Sequence, residues 1–469
     1  MFMRIGRMVC ALLPVLAAST AIAANGDLDP SFGTGGFRIA GILDGSANVS
    51  AGTAVQPDGK ILLCETENTS GALDFFVARF TASGAIDTSF SFDGHTTIDF
   101  GGNNDICTGL AVQTDGKIVV AGTTIPTAAG SNADFAIARL NNDGTLDTSF
   151  GAGSGKAVVG FDLGGGNNDL AYALALRPDN RIVVVGSAQT AANGTDFAIL
   201  QLNTDGSRDT SFNLTGRLSV GFDFTASPTK NDEAYRVAID NQGRTVVAGA
   251  ADRGPGPAFS ADFAVVRILP NGQLDPNFSA DGRATIAFDL GGAGGSNDDA
   301  AFGLAIDRAG NIVLTGYADS SASSTANIDM AIARLLPDGS PDATFGIGGK
   351  TTLAFDLIPN GVDYAIAVME QSNRKLVIAG TSAAGGASNQ VATATRLNAN
   401  GSPDPGFGAL GKKTYDFGQS SPSAQLFNGV VMQGSQIVFG GALNTVDTSH
   451  IDFVVARILD DLIFADGFD

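Results

Sequence analysis

The feature that most constrains this chain is one short phrase that returns seven times. It reads LDPSFG from Leu28 and LDTSFG from Leu146. Its aspartate stands at Asp29, Asp87, Asp147, Asp209, Asp275, Asp342 and Asp404. Successive aspartates lie 58 to 67 residues apart. A period of this length indicates one supersecondary unit that is repeated in a stack or a ring, rather than two or three unrelated domains.

Each unit contains four short strands, and the third unit displays them most clearly. From Asp169, DLAYALALRPDNRIVVVGS reads as a strand, a tight turn and a second strand, and DFAILQL and RLSVGFDF supply the third and fourth strands. The second strands, such as IVVAG and IVVVG, are almost continuously apolar, which is typical of a sheet covered on both faces. The pattern therefore predicts an all-β, seven-bladed β-propeller with four antiparallel strands per blade.

The two ends of the repeat region complement each other. The first phrase is followed by GGFRIAGIL, which matches a fourth strand, whereas the last unit stops after HIDFVVARIL, which matches a third strand. We therefore expect the N-terminal strand to complete the last blade, so that the ring closes without an open sheet edge.

The segments outside the repeats suggest export. Residues 1–24 combine Arg4 and Arg7, an apolar run and the small-residue end Ala21-Ile22-Ala23. This order is typical of a secretory signal peptide. The sequence thus predicts a signal peptide (1–24), a propeller (25–460) and a short tail (461–469), in a secreted or periplasmic protein without a membrane span. The tail LIFADGFD is interpreted either as a sorting tag or as a strand extension that packs Phe464 and Phe468.

Charge and cysteine content limit the partners. Without Arg4 and Arg7 the chain carries 25 basic and 48 acidic residues. Such an excess repels nucleic acid and anionic lipid, so we expect a monomer whose partner is a protein or another envelope component. Cys64 and Cys107 lie in apolar strands and are expected to be buried thiols rather than a disulfide.

The units resemble the delta-60 repeats of bacterial exported proteins, whose pattern runs roughly LDxSFGxxG, AxAVQPDGKIVVAG and DFAVARLNxDG. GTAVQPDGKILL, GLAVQTDGKIVVAG and DFAIARLNNDGTLDTSFG carry the resemblance, which covers nearly all of residues 26–460. It implies a propeller-like fold and brings no activity with it. The sixth unit departs from the pattern with VATATR at 391–396.

An arginine ends the third strand of most units, eight residues before the phrase aspartate. Such pairs are Arg79 and Asp87, Arg139 and Asp147, Arg267 and Asp275, and Arg334 and Asp342. We interpret them as ion pairs that fix the turn between the third and fourth strands. The alternative interpretation is an array of ligand-binding arginines.

A second repeated acid precedes the innermost strand of each unit. Its members are Asp105, Asp169, Asp232, Asp299 and Asp363, with Asn48 and Gln425 in the first and last units. Placed around the mouth of the central channel, they could bind a hard cation such as calcium through oxygen ligands. The competing interpretation is a turn in which each aspartate caps loop N–H groups.

Catalytic motifs are scarce in the sequence. His95 and His450 are its only histidines, and no Ser–His–Asp order, Cys–His pair or zinc-ligand spacing emerges. The sequence therefore favours an exported, non-catalytic scaffold that binds a protein or another envelope or extracellular partner through variable loops. Two alternatives stay open: a cation-dependent lyase or hydrolase with a site at the channel mouth, and a purely structural envelope protein.

Overall fold

The computed structural model of the chain describes residues 24–460 except 41–51, 70, 129–131, 192–193, 223, 225–230, 255–260, 291–296, 322–326, 386–388, 419–424 and 445–450. Most of the expected signal peptide, Asn48, His450 and the C-terminal tail from 461 lie outside the described residues. Within these ranges no helix is long and apolar enough to cross a membrane.

The described residues form 28 strands and one turn of 3-10 helix, Gly151–Gly153. The first strands of the units are β2 (Gly52–Val55), β6 (Asn104–Val112), β10 (Asp169–Leu176), β14 (Asp232–Ile239), β18 (Asp299–Ile306), β22 (Asp363–Glu370) and β26 (Gln425–Gln433). The second strands are β3 (Ile61–Thr69), β7 (Ile118–Ile125), β11 (Ile182–Gln189), β15 (Thr245–Asp252), β19 (Ile312–Asp319), β23 (Leu376–Ala383) and β27 (Gln436–Asn444). The third strands are β4 (Ala72–Phe80), β8 (Asp134–Leu140), β12 (Thr195–Leu202), β16 (Ala261–Ile268), β20 (Ile328–Leu335), β24 (Gln390–Leu397) and β28 (Ile451–Ile458). The fourth strands are β1 (Phe37–Ala40), β5 (His95–Ile98), β9 (Lys156–Val159), β13 (Arg217–Val220), β17 (Arg283–Ile286), β21 (Lys350–Leu353) and β25 (Lys412–Tyr415).

These strands form seven separate four-stranded antiparallel sheets. Blade 1 contains β2–β5, and blades 2 to 6 follow in chain order up to β25. Blade 7 contains β26, β27, β28 and β1. The first strands of neighbouring blades contact one another around the ring, so they line a central channel. The predicted seven-bladed β-propeller is thus confirmed.

The N-terminal strand closes the ring. β1 pairs antiparallel with β28, with Phe37 opposite Ala456. The Nε atom of Arg457 lies 2.8 Å from Oδ2 of Asp29, which anchors the segment before β1 to the last blade. The predicted closure is therefore confirmed, and β28 is not left as a sheet edge.

The core of the molecule lies between the blades rather than within them. The buried side chains divide into seven apolar clusters, one at each junction between neighbouring blades. Each cluster contains the phenylalanine of one phrase, and all seven of these rings are fully buried: Phe32, Phe90, Phe150, Phe212, Phe278, Phe345 and Phe407. The repeated phrase thus supplies the apolar group that joins one blade to the next.

Blades 1 and 2 are also joined covalently. Cys64 on β3 and Cys107 on β6 form a disulfide, with Cα atoms 6.3 Å apart. The expectation of two separate buried thiols is therefore wrong. Their 43-residue separation places them on facing strands of neighbouring blades, a proximity that becomes apparent only when the ring is built.

Candidate active site at the channel mouth

A repeated irregularity of the first strands shapes the channel. The pairing register of the first and second strands shifts by one residue in blades 2 to 7, which is a β-bulge. The bulged residues are Thr108, Tyr172, Tyr235, Phe302, Ile366 and Asn428. A bulge leaves one residue out of the ladder and changes the direction of its side chain. All six bulged residues line a single cavity of about 640 Å³.

The cavity lies at one mouth of the channel. It is lined by the bulged residues and by residues at the ends of second strands and the beginnings of third strands, among them Thr381, Ile328 and Gln390. The connections between the second and third strands and between consecutive blades meet on this face. These are the variable loops of the sequence.

Five aromatic side chains form a continuous arc in this cavity. The ring centroids of Tyr172 and Tyr235 are 5.4 Å apart, and those of Tyr235 and Phe302 are 5.2 Å apart. Phe302 and Tyr364 each lie 5.4 Å from Tyr317. All five side chains are half-buried, so each ring retains a surface that a ligand can contact. Aromatic faces of this kind combine an apolar surface with a polar edge.

Two carboxyl groups lie beside the aromatic arc. The hydroxyl of Tyr317 donates a hydrogen bond to Oδ2 of Asp298 at 2.7 Å, and Asp319 lines the same cavity. Burial raises the pKa of Asp298, and the nearby charges of Asp319 and Asp252 raise it further, against the lowering effect of the Tyr317 hydrogen bond. Burial and Asp298 together also hold the pKa of Tyr317 above its usual range. Asp298 is thus a carboxyl group that retains its proton more readily than an exposed aspartate.

The Asp319 carboxylate is held by its own loop. The backbone N–H of Ser321 donates to Oδ1 of Asp319 at 2.8 Å, and the Ser321 hydroxyl contacts the same oxygen. Tyr317 and Asp319 are two residues apart on β19, so their side chains project from the same face of the strand. β19 therefore places Tyr317, which bonds to Asp298, and the carboxylate of Asp319 on one side of the cavity.

One guanidinium group also reaches this region. Arg236 follows the bulged Tyr235 on β14 and lines both the mouth cavity and a smaller cavity of about 170 Å³ in the channel. Burial lowers the pKa of Arg236 to about 10, so the side chain is still charged at neutral pH.

The five aspartates predicted to bind a cation are not part of the mouth cavity. None of them is among the described residues that line it. Each carboxylate accepts a hydrogen bond from a phenylalanine N–H in the connection before it, at 2.5–2.7 Å: Asp105 from Phe100, Asp169 from Phe161, Asp232 from Phe222, Asp299 from Phe288 and Asp363 from Phe355. The five are therefore separated, one in each of five blades, and each interacts with its own turn.

One of these aspartates does belong to a carboxylate cluster. Oxygen atoms of Asp74, Asp99 and Asp105 all lie within 4.8 Å of one another at the junction of blades 1 and 2. Burial raises the pKa of Asp105, and the charges of Asp74 and Asp99 add to this effect. Calcium binding by the five predicted aspartates stays a prediction. This cluster, which lies apart from the mouth cavity, adds Asp74 and Asp99 to one of them.

The repeated arginines contact both their own blade and the next. Nε of Arg79 lies 2.7 Å from Asp87, and the distances for Arg139–Asp147, Arg267–Asp275 and Arg334–Asp342 are 2.6, 2.8 and 2.7 Å. Each of these guanidinium groups also donates to a backbone carbonyl in a turn of the following blade. Each lies over the phenylalanine of its own phrase, at 4.6–4.9 Å from the ring centroid. The guanidinium groups of these arginines are therefore engaged in contacts within the protein.

Glycines in the second strands are a sequence signal for the bulged residues that line the cavity. A glycine in the second strand of blades 2 to 7, such as Gly122 in IVVAG, lies beside the bulge. A Cβ atom there would lie only 1.9 Å from the carbonyl oxygen of Ile106, and the equivalent glycines Gly186, Gly249, Gly316, Gly380 and Gly441 are equally confined. A glycine inside a strand often indicates a close backbone approach or a bulge. The residue at the bulge is the one that varies between blades.

The fold and this cavity define a class: a seven-bladed β-propeller with a candidate active site at the mouth of its channel. Six segments of the chain match the family model described as "Domain of unknown function (DUF5122) beta-propeller", at residues 56–90, 113–150, 177–212, 243–278, 310–345 and 371–407. The chain therefore contains six repeats of this family model. No curated protein matches the chain by sequence.

Several solved structures are similar to this one at low sequence identity. A polysaccharide lyase, an ulvan lyase bound to -[GlcA(1-4)Rha3S]-, has a TM-score of 0.52 and 10% identity, covering 92% of this chain and 100% of its own. A second structure of an ulvan lyase has a TM-score of 0.51 and 9% identity, with the same coverage. An α-L-arabinofuranosidase from Fusarium graminearum has a TM-score of 0.42 and 12% identity, covering 80% of this chain and 97% of its own.

These structures correct one expectation. The sequence favoured a non-catalytic scaffold that binds a partner through its loops. The propellers with the highest of these TM-scores are polysaccharide lyases, so that main expectation is wrong.

Proposed function

We propose that this protein is an enzyme that cleaves a polysaccharide, and that its active site is the cavity at the channel mouth. The observation that carries the proposal is the combination in one open cavity of a five-ring aromatic arc with the carboxyl groups of Asp298 and Asp319. The apolar faces of sugar rings pack on aromatic side chains, and cleavage of a glycosidic bond commonly uses two carboxyl groups. The ulvan lyases of similar fold add support from outside the chain.

The two carboxyl groups have different environments, which suits them to different roles. Asp298 is the general acid: its raised pKa keeps a proton available for the glycosidic oxygen, which leaves as an alcohol. Asp319, held by Ser321, supplies the negative charge that stabilises the developing positive charge on the sugar ring and accepts a proton from the attacking water.

The tyrosines position the reacting groups rather than remove protons. Tyr317 orients Asp298 through its hydrogen bond, and Tyr235 donates a hydrogen bond to Glu233 at 2.7 Å. Burial raises the pKa of Tyr172 to about 12 and moves the pKa of Tyr235, Tyr317 and Tyr364 in the same direction. A tyrosinate base is therefore disfavoured at neutral pH. This favours hydrolysis over an elimination that would start from a tyrosinate.

The test is degradation of a panel of neutral and acidic polysaccharides, followed by both reducing-end release and the ultraviolet absorbance of unsaturated sugar products. We expect reducing ends without the absorbance signal, and the Asp298→Asn variant should lose at least about 100-fold in kcat/KM. Asp338→Asn, an exposed aspartate of a hairpin turn, is the matched control. An absorbance signal would assign lyase chemistry instead, and equal activity of wild type and Asp298→Asn would remove Asp298 as the acid.

We also propose that the protein is exported and that its repeats are of the delta-60 type. Arg4, Arg7 and the apolar run after them support export. The disulfide between Cys64 and Cys107 also supports it, since disulfides persist mainly in oxidising compartments. Sequencing the N-terminus of protein recovered from the periplasm or medium of the source cells tests this proposal. A mature N-terminus near Asn25 is expected, and retention of Met1 in the cytoplasm would refute it.

A further inference from the structure

Arg236 occupies a position that holds a small residue in every other blade. Arg236 follows the bulged residue of β14. The equivalent residues of the other first strands are Gly52, Gly109, Ala173, Gly303, Ala367 and Gly429. One blade out of seven therefore places a long cationic side chain where the repeat otherwise keeps glycine or alanine.

Packing restricts this position to a small residue in blades 1, 5 and 7. A Cβ atom at Gly52 would lie 2.6 Å from the backbone nitrogen of Leu110, and at Gly303 it would lie 2.2 Å from Oγ1 of Thr315. Blade 4 gives up this tight packing to accommodate Arg236, whose side chain lines the cavities on both levels of the channel. Because the repeat otherwise packs a small residue at this position, the packing of the repeat alone does not account for Arg236.

The contacts of Arg236 distinguish it from the structural arginines. Among the described residues, the Arg236 side chain forms one hydrogen bond. Its Nη1 donates to the carbonyl oxygen of Tyr235 at 2.8 Å. No carboxylate in the described part of the chain forms an ion pair with it, whereas Arg79, for example, pairs with Asp87 at 2.7 Å. A half-buried charge without a counter-ion costs free energy. Because Arg236 lines the mouth cavity, a ligand in that cavity can accept hydrogen bonds from its remaining N–H groups.

We infer that Arg236 binds an anionic group of the ligand, a carboxylate or a sulfate ester carried by a sugar next to the one that packs on the aromatic arc. The planar guanidinium matches both groups by paired hydrogen bonds. Tyr235 belongs to the arc and is adjacent to Arg236, so one ligand can contact both residues. The inference rests on the proposed function and narrows its substrate class to anionic polysaccharides. It also explains why a chain of net charge −21 keeps an unneutralised cation in its channel.

The first experiment tests the anion site alone. Inorganic sulfate and acetate are titrated while the melting temperature is followed, with sodium chloride holding the ionic strength constant. Arg236→Gly introduces the residue found at four equivalent positions, and Arg236→Lys keeps the charge. Arg38→Ala, an exposed arginine on β1, is the control. We expect a saturable stabilisation of wild type and Arg38→Ala that Arg236→Gly lacks and Arg236→Lys retains in part. Equal stabilisation of wild type and Arg236→Gly would overturn the inference.

The second experiment assigns the ligand. Binding is measured calorimetrically for a galacturonate hexamer, for the same hexamer after reduction of its carboxyl groups, and for a sulfated galactan oligosaccharide without carboxylates. We expect wild type to bind one charged oligosaccharide about 10- to 100-fold more tightly than the reduced one, the range expected for hydrogen bonds to a charged group. Arg236→Gly should lose this preference. The charged oligosaccharide that wild type prefers identifies carboxylate or sulfate as the anion.

Failure of the inference and failure of the proposed function are distinguishable. Equal binding of charged and neutral oligosaccharides, unchanged in Arg236→Gly, leaves the sugar site standing and refutes the role of Arg236. Stabilisation by sulfate that depends on Arg236, without binding of any oligosaccharide, refutes the polysaccharide assignment together with the proposed function.

Discussion

Replacing Asp87 by asparagine tests the repeated ion pair that joins the blades. Asp87 is only 7% exposed. Its Oδ2 contacts Nε of Arg79 at 2.7 Å and Nζ of Lys60 at 3.2 Å, and its Oδ1 accepts a hydrogen bond from the hydroxyl of Ser89 at 2.6 Å. Asparagine keeps the size and one acceptor oxygen but removes the charge. The buried guanidinium of Arg79 then loses its counter-ion.

The magnitude follows from the pKa of Asp87. Burial alone would raise this pKa, but the hydrogen bonds from Ser89 and Lys60 and the charge of Arg79 outweigh burial and lower it from 3.8 to about 2. A shift of this size corresponds to about 2 kcal/mol of stabilisation by the ionised form. Breaking a buried ion pair costs about 3–5 kcal/mol when the partner charge is left behind. We therefore expect Asp87→Asn to lose about 2–4 kcal/mol of unfolding free energy at pH 7.

The stabilisation by the ionised form of Asp87 depends on pH. Because the folded pKa lies below the unfolded one, the stabilisation is fully present above the unfolded value of 3.8 and is lost as the pH falls through about 2. The advantage of wild type over Asp87→Asn should therefore fall to about half by pH 3. The pKa is lowered in the same direction at all seven phrase aspartates: Asp29, Asp87, Asp147, Asp209, Asp275, Asp342 and Asp404.

The assay is urea unfolding followed by far-ultraviolet circular dichroism, since the chain contains no tryptophan for fluorescence. Asp93→Asn, an exposed aspartate of the same unit, is the control and should change the unfolding free energy by less than about 0.5 kcal/mol. Equal stability of wild type and Asp87→Asn at pH 7 would refute the reasoning. A difference between them that stays constant from pH 7 to pH 3 would refute it as well.

Two further predictions concern the junction of blades 1 and 2. The Cys64→Ala/Cys107→Ala double variant should lose about 4 kcal/mol, the chain-entropy value for a separation of 43 residues, in denaturant unfolding. A thiol reductant should destabilise wild type and leave the variant unchanged, and equal sensitivity would contradict the role of the disulfide. Calcium binding by Asp74, Asp99 and Asp105 predicts a saturable rise in melting temperature that a chelator reverses and Asp105→Asn abolishes. An unchanged melting temperature of wild type would refute calcium binding by this cluster.

Much of the fold could be predicted because its determinants are local and repeated. The phrase spacing determines the number of blades, and the tight turns determine the antiparallel order within each blade. The ring closure followed from a fourth strand at one end and a missing one at the other. These signals require no knowledge of which residues from different units meet in space.

The candidate site could not be found in the same way, because it is formed by differences between the units. Tyr172, Tyr235, Phe302 and Tyr364 come from four blades and look like ordinary members of apolar strands. Only the bulge brings the first three of them into one cavity. The sequence alone does not show that these aromatic side chains meet at the channel mouth. Arg236 departs from the repeat pattern in the sequence. Only the structure shows that its side chain lines the channel.

The pairing of β1 with β28 makes closure of the ring depend on a strand that is synthesised after the first six blades. Phe37 leaves the ribosome before blades 1 to 6 and its partner Ala456 leaves after them, so blade 7 cannot form until β28 has been synthesised. Contacts of such large sequence separation are slow to form. A chain that stops before β28 leaves β1 without its partner strand, and unpaired strand edges are prone to aggregation. Blade 7 thus acts as a check on the synthesis of the repeat region, since only a chain that has been translated through β28 can form a closed ring.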